Sequence, residues 1–460
     1  MKNILFAVCV LTVAALISCT EKKDDNIYDY SDIDTNQKND NEVTDYQTKP
    51  DYNTSKDDEE FSEEDVEERD DTEIIADDEM DEDIDDLTDD DSEHFPDGTI
   101  KNDDDPDPGK VCPNSYGIAQ DSDILLIKDC NTIEGQLVIQ NYQGTAINGL
   151  ENLRMIGTEF NIINCPNLTS LSGFKNLEKV GDGMFITGND ALSDLSDLEK
   201  LDHIGGWFHV KQNDNMKKIS LPVLKYVGKF IVTENDEMTS LDMPSIEESG
   251  DYFQIIKNYK LTSISSLKKL KKIGERLQIS ANYLLSSLEG LDNLETVTGY
   301  LRLTTGKALT DLKNLSNLSS AGGIEITGND LITSLVGLEK ITEITENVLI
   351  GGNKLASLKG LENITDIGGD LSISAAKEVV DLTDLSNLRN IGGELNISWN
   401  AALTSLDGLF TLTSLGGDLK IQSNALLPQC EADNFKTYLE GLSWTGTSTF
   451  SGNYGEGSCD

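Results

Sequence analysis

Ile391-Gly392-Gly393-Glu394-Leu395-Asn396-Ile397-Ser398-Trp399-Asn400, followed by Leu403, Leu406, Leu409, Leu412 and Leu415, is one turn of a repeat that fills most of the chain. The first apolar residue of its L-x-I core recurs at Leu137, Phe160, Met184, Phe208, Phe230, Phe253, Leu277, Leu301, Ile324, Val348, Leu371, Leu395 and Leu419. That is thirteen copies, each 22 to 24 residues after the last. We number them rungs 1 to 13. A near-constant period of this size is the mark of a solenoid, in which each repeat buries its apolar face only against its neighbours.

The sub-patterns say what kind. The x-L-x-I-x segment alternates, so it is a short strand with two residues pointing inward. Beyond it, apolar residues come every third position, as in Leu285, Leu288, Leu291, Leu294 and Val297. Three residues advance about 300° on an α-helix, so these would wander around its whole surface. A three-residue step suits polygonal coil, polyproline II or short 3₁₀ turns, with one inward residue per step. Each rung is therefore one short parallel strand plus compact corners. Rungs about 4.8 Å apart give a body about 60 Å long.

Five residues after the first inward position an Asn recurs, at 189, 213, 235, 258, 282, 329, 353, 400 and 424, in nine of thirteen rungs. At a turn its amide can bond the backbone of its own and neighbouring rungs, satisfying groups that a buried corner leaves open. Gly pairs before strands (Gly205-Gly206, Gly368-Gly369, Gly392-Gly393, Gly416-Gly417) suit positive φ or tight corners. Both features are structural.

Cys112-Pro113 and Cys130-Asn131-Thr132-Ile133-Glu134-Gly135-Gln136-Leu137-Val138-Ile139 resemble the opening of the receptor L domain of insulin and epidermal growth factor receptors. The repeated L-x-x-L-x-x-L-x-x-I-G-G-x-L-x-I-x-x-N resembles the longer bacterial arrays of that superfamily, found in secreted and lipid-anchored surface proteins. Leu427-Pro428-Gln429-Cys430 through Cys459 is similar to their closing segment. The resemblance covers about 112–460. It implies an all-β, right-handed parallel β-helix-like or leucine-rich-repeat-like array used for binding, and no enzyme activity. Receptor domains have fewer rungs, so their ligand-binding residues do not carry over. In this frame Cys112 with Cys130 would staple the N-terminal cap and Cys430 with Cys459 the C-terminal one, as suits an exported protein. Cys165, in the Asn column of rung 2, is left over as a small buried side chain. Phe435, Tyr438, Leu439 and Leu442 have helical spacing, which places a capping helix over 431–442 on the last rung's open edge.

Ahead of the array, Met1–Ser18 reads as a secretory signal. Lys2 precedes 14 mostly apolar residues, Ile4–Ile17, too few to span about 30 Å of hydrocarbon. Leu16-Ile17-Ser18-Cys19 resembles the bacterial lipobox, which implies that Cys19 becomes the lipidated first residue of the mature chain and anchors it in a membrane. Thr20 and Asp24-Asp25 are compatible with the outer membrane or cell surface. No apolar tail at the C-terminus calls for a GPI anchor. Thr20–Lys110 holds 39 acidic and 8 basic residues. Low hydrophobicity with high like charge gives a disordered stalk, about 55 Å in r.m.s. span or longer. Asp103-Asp104-Asp105-Pro106-Asp107 offers oxygens for calcium, but no Gly-bearing EF-hand loop accompanies it. The expected organisation is signal 1–18, lipidated Cys and stalk 19–110, and solenoid 111–460.

The whole chain carries a formal net charge of -48, which argues against a nucleic-acid partner. Three histidines and the absence of hydrolase, metalloprotease, phosphate-loop or dinucleotide motifs argue against catalysis and against a metal or cofactor. A carbohydrate-active β-helix enzyme would also need long loops walling its groove, and the even period leaves no room for them. His203 and His209 read as surface residues. The remaining readings are a binding or adhesion module and a purely structural envelope protein. The outward strand positions favour the first. On rungs 3 to 8 they are Phe185, Trp207, His209, Lys211, Lys229, Ile231, Tyr252, Ile256, Arg276, Tyr300 and Arg302. After rung 8 they become Gly323, Glu325, Asn347, Asp370, Ser372, Glu394, Asn396 and Asp418. Aromatic rings beside cations suit a glycan, an anionic polysaccharide or a protein partner, although aromatics also favour strands for packing reasons alone. Trp207 is expected as a solvated central anchor. A second basic cluster, Lys257, Lys260, Lys268, Lys269, Lys271, Lys272 and Arg276, lies mainly on corners and either offsets nearby acid or docks the stalk.

Overall fold

The computed structural model describes residues 109–455 and residue 459. The expected signal, Cys19 and the stalk as far as residue 108, with its Asp103–Asp107 run, lie outside the described residues, while Lys110, expected in the stalk, opens the strand Lys110–Cys112 that pairs with Cys130–Ile133.

The array is a parallel β-solenoid. In rung 12, Leu395–Ser398 pairs in register with Leu371–Ser374 before it and Leu419–Gln422 after it. Alternation decides which face is which: Leu395 and Ile397 are fully buried and Asn396 half-buried. Leu403, Leu406, Leu409 and Leu412 fill the rest of the rung, all buried. The chain steps between them through i→i+3 turns, with a 3₁₀ helix at Asp407–Leu409. Full burial of such a side chain contributes roughly 1.5–3 kcal/mol, and each rung obtains it only from its two neighbours.

The Asn column forms a hydrogen-bonded ladder. Asn213 Nδ2 donates to the Ile186 carbonyl one rung back (3.0 Å) and to the Lys211 carbonyl of its own rung (3.0 Å). Its Oδ1 accepts from Asn189 N at 3.0 Å. Every bond links backbone groups that the corner would otherwise bury unpaired. Tyr142 and Cys165 take the Asn place in rungs 1 and 2, and both are buried. The Cys165 thiol contacts the Ile163 carbonyl at 3.4 Å, and burial pushes its pKa up.

The Gly pairs before strands answer to close approach. A Cβ on Gly392 would lie 2.0 Å from the Gly368 carbonyl oxygen, and neither Gly392 nor Gly393 has positive φ. The left-handed backbone falls instead on the residue just before each Asn position. Gln212, Glu234, Lys257, Ala281, Thr305, Ala375, Trp399 and Ser423 adopt it with φ of 52–60°.

The expected C-terminal helix is present, and each end also carries a strand beyond the thirteen rungs. A strand, Tyr116–Ile118, pairs with Leu137–Ile139 ahead of rung 1. At the other end Ser448–Ser451 pairs with Leu419–Gln422, and Asn453 extends the ladder by accepting from Asn424 N. The open strand edge of rung 13 is thus covered by a strand. The helix, Gln429–Gly441, covers the leucine corners instead. Its Tyr438 hydroxyl donates to the Leu412 carbonyl at 2.7 Å, and Phe435 packs on Phe410. Disulfides join Cys112 to Cys130 and Cys430 to Cys459.

Candidate functional site

Inward residues of rungs 4 to 6 are large: Phe208, Phe230 and Phe253 stack at centroid distances of 5.3 and 4.4 Å. They hold the strands above them rigidly in register. On the outside, Trp207 lies beside Lys229 in that register. Lys229 Nζ sits 4.3 Å from the indole centroid and 5.4 Å from the Tyr252 ring. The Arg276 guanidinium lies 5.4 Å from the Tyr252 ring centroid, and that of Arg302 lies 5.9 Å from the Tyr300 centroid. The column just before the inward residues therefore alternates: Trp207, Lys229, Tyr252, Arg276, Tyr300. Trp207 is half-buried rather than solvated, because Lys229 covers part of it.

The next outward column carries Phe185, His209 and Ile231, consecutive in register. Phe185 and His209 meet edge-on at 6.3 Å. Burial drives the His209 pKa down to about 4, so its ring is neutral near pH 7. Two rings lie low because glycine leaves room. A Cβ on Gly323 would fall 2.4 Å from the Tyr300 ring, and one on Gly183 2.5 Å from the Phe185 ring.

Three of the cations are already matched. Lys229 pairs with Asp251 at 3.3 Å, Lys211 with Glu234 at 3.6 Å, and Arg302 with Glu325. Burial raises the Glu275 pKa, as does neighbouring Asp251, while Arg276 opposes the shift. Tyr252 is raised by burial and by the Glu275 and Asp251 carboxylates. Asp251 Oδ1 and Arg276 Nε are buried without a hydrogen-bond partner. The patch thus combines flat apolar rings, planar polar groups and near-zero local charge.

All nine expected ligand-binding residues, Phe185, Trp207, His209, Lys229, Ile231, Tyr252, Arg276, Tyr300 and Arg302, lie half-buried on this one strand face. Other expectations need revision. Of the second basic cluster, Lys257, Lys260, Lys268 and Lys272 pair with Glu234, Glu237, Glu289 and Glu248 on adjoining rungs, so these four offset nearby acid, while the alternative of docking the stalk falls on residues outside the described ones. Asp418 accepts from Thr447 N at 2.8 Å and holds the last strand, so it is not an inert surface position. His203 is half-buried and stacks on Tyr226 at 4.9 Å. Tyr259 and Tyr283 were not among the expected residues. They occupy the position after the ladder Asn, where Asp190, Asp214, Asp236 and Lys307 stand on neighbouring rungs. Reading that column down the stack exposes them. Among the described residues, no group of His, Cys, Asp and Glu is placed to hold a metal.

Residues 129–242 match the family model of the Receptor L domain. That segment ends within rung 5, and the L-x-I strands go on pairing in parallel through the later rungs. A solved structure of a leucine-rich-repeat protein from Leptospira interrogans is similar at 18% identity. The likeness covers 72% of this chain and 88% of that one, with a TM-score of 0.33. No curated protein matches the sequence.

Proposed function

We propose that this protein is a binding module, anchored at a bacterial cell surface through lipid on Cys19, that takes a glycan on the outward strand face of rungs 3 to 8. The alternating column from Trp207 to Tyr300 carries the reading. Aromatic side chains give apolar contact to pyranose rings, and the guanidinium and carboxylate groups beside them bond hydroxyls in pairs. An anionic polysaccharide is disfavoured on charge. Lys211, Lys229 and Arg302 already have carboxylate partners. Val111–Asp460 also holds 45 acidic against 27 basic residues, and a field of that sign repels anions until salt screens it within about 10 Å. Asp251 and Glu275 lie together on this face, but Lys229 pairs with Asp251 and Arg276 opposes the shift on Glu275, and we read the pair as structural and the face as non-catalytic.

The purified protein, applied to a printed array of linear neutral and carboxylated oligosaccharides, is expected to bind neutral chains. Failure to bind any of them, with capture of a defined surface protein through Trp207 instead, would replace the glycan by a protein ligand. Mass spectrometry of the mature N-terminus tests the anchor, and an unmodified Cys19 contradicts it.

A further inference from the structure

Resting on the glycan reading, we infer that the ligand crosses the sheet along the strands of rungs 6 and 7, ending on a second platform formed by Tyr259 and Tyr283. These rings contact at a centroid distance of 5.1 Å and are tilted by 33°. They are 38% and 41% exposed, and Leu284 beside them is 53% exposed. Their place is fixed by the residues before them. Asn258 and Asn282 are buried in the ladder, with Asn258 N donating to Asn282 Oδ1 at 3.0 Å. The tyrosines must therefore emerge at the corner where the strand ends.

The position matters because the same two rungs carry Tyr252 and Arg276 at the start of their strands. In that corner column rungs 3, 4, 5 and 9 hold Asp190, Asp214, Asp236 and Asp330, and rungs 8, 10 and 11 hold Lys307, Lys354 and Lys377. Rung 6 alone among the described rungs has an aromatic residue at both ends, Tyr252 and Tyr259, and rung 7 beside it sets Arg276 opposite Tyr283. Between the ends lie Gln254 and Gln278, whose side-chain amides bond each other at 3.3 Å. Gln278 continues to the Ser280 hydroxyl at 3.3 Å, which accepts from Thr304 at 2.7 Å. This row of amides and hydroxyls sits between two aromatic platforms about 15 Å apart, at about 3.3 Å per strand residue. A linear neutral oligosaccharide longer than a disaccharide fits it, stacking at each end and bonding its hydroxyls to the amides. The pairing of Lys257 with Glu234 and of Lys260 with Glu237 keeps the corner near neutral.

The array above, repeated with Tyr259→Ala/Tyr283→Ala and with Trp207→Ala, separates the two claims. Loss of both tyrosines is expected to weaken binding of the longer neutral chains at least about tenfold, as removal of anchor residues does. Disaccharides should change little. Unaltered thermal melting would show that the variant is folded, as exposed side chains allow. If the double variant binds every chain as wild type does while Trp207→Ala loses them, the crossing direction is wrong and the glycan reading stands. If wild-type protein binds no oligosaccharide at all, both fall.

Discussion

Rung 4 and rung 12 bury the same kinds of atoms, Phe208 and Val210 in one and Leu395 and Ile397 in the other, all without solvent exposure. Their ladder residues also behave alike. Asn213 and Asn400 each donate to the carbonyl one rung back, at 3.0 and 2.9 Å, and each accepts from the backbone of that rung. Outside they diverge. Trp207, Lys229, Tyr252 and Tyr300 mark the early half, where the later half has Gly323, Asn347, Asp370 and Glu394 at the same column. Each inward side chain has to fit two neighbours, so the interior repeats. An outward side chain answers to no such constraint, so a run of aromatics confined to one half points to a ligand rather than to the fold.

The sharpest way to break this comparison is through the interior. Phe230→Ala in the early half should cost about 3–5 kcal/mol and Leu395→Ala in the later half about 2–5 kcal/mol, each leaving a cavity between rungs. Urea titration should show both losses. A near-neutral result in either half would mean that its interior is not close-packed.

Asn213→Ala and Asn400→Ala should cost about 1–3 kcal/mol each, because each strands buried backbone groups. Asn213→Ala should cost the more, since Asn213 also bonds the Lys211 carbonyl and the Asn189 amide, whereas the rung before Asn400 offers only the Ala376 backbone. Equal losses would mean that these extra bonds add nothing to stability.

His209 adds a pH dependence to the early half alone. Its folded pKa of about 4 is depressed from the ordinary value of 6.5, chiefly by burial. Above that ordinary value both states are neutral and nothing is lost. As pH falls from about 6.5 toward 4, the unfolded chain takes up a proton that the folded one refuses, so stability drops across that window. Allowing for partial exposure of the ring, the loss should be about 2 kcal/mol. Melting of His209→Gln should lack this component, and parallel curves for the two proteins would contradict the shift.

The smallest effect concerns backbone strain. Trp399 is 67% exposed and holds φ of 60°, where Gly328 and Gly352 stand in the same column. A left-handed non-glycine residue costs about 1–2 kcal/mol, and glycine's extra chain entropy returns about 0.5–1 kcal/mol of that. Trp399→Gly should therefore stabilise the fold by about 0.5–1 kcal/mol, readable as a raised melting temperature.

Much of this architecture was legible in the residues. The period gave the rungs, alternation gave Leu395 inward and Glu394 outward, and the Asn spacing gave the ladder. The left-handed column was not legible, because its members share no residue type: Gln212, Glu234, Lys257 and Trp399 have only their φ in common. The terminal strands were hidden for different reasons. Tyr116–Ile118 has only three residues, and Ser448 is not apolar at the first inward position. The inserted helix also stretches the last interval from Leu419 to Ser448, breaking the period. At the candidate site, the ring-bearing columns could be read off, but the ion pairs that neutralise Lys229 and Arg302 could not. Those pairs depend on which carboxylate a long side chain reaches on the next rung, and they shift the reading from anionic to neutral ligands.

The central claim is that recognition belongs to the early half of the strand face. The most direct test measures affinity for a bound oligosaccharide with Trp207→Ala and Tyr252→Ala, beside Ser372→Ala at an outward position of the later half. Each aromatic variant should lose about thirtyfold in affinity, as removal of a central anchor of about 2 kcal/mol does, while Ser372→Ala binds as wild type. Folded aromatic variants that bind with unchanged affinity would contradict the claim and leave these rings as ordinary strand surface.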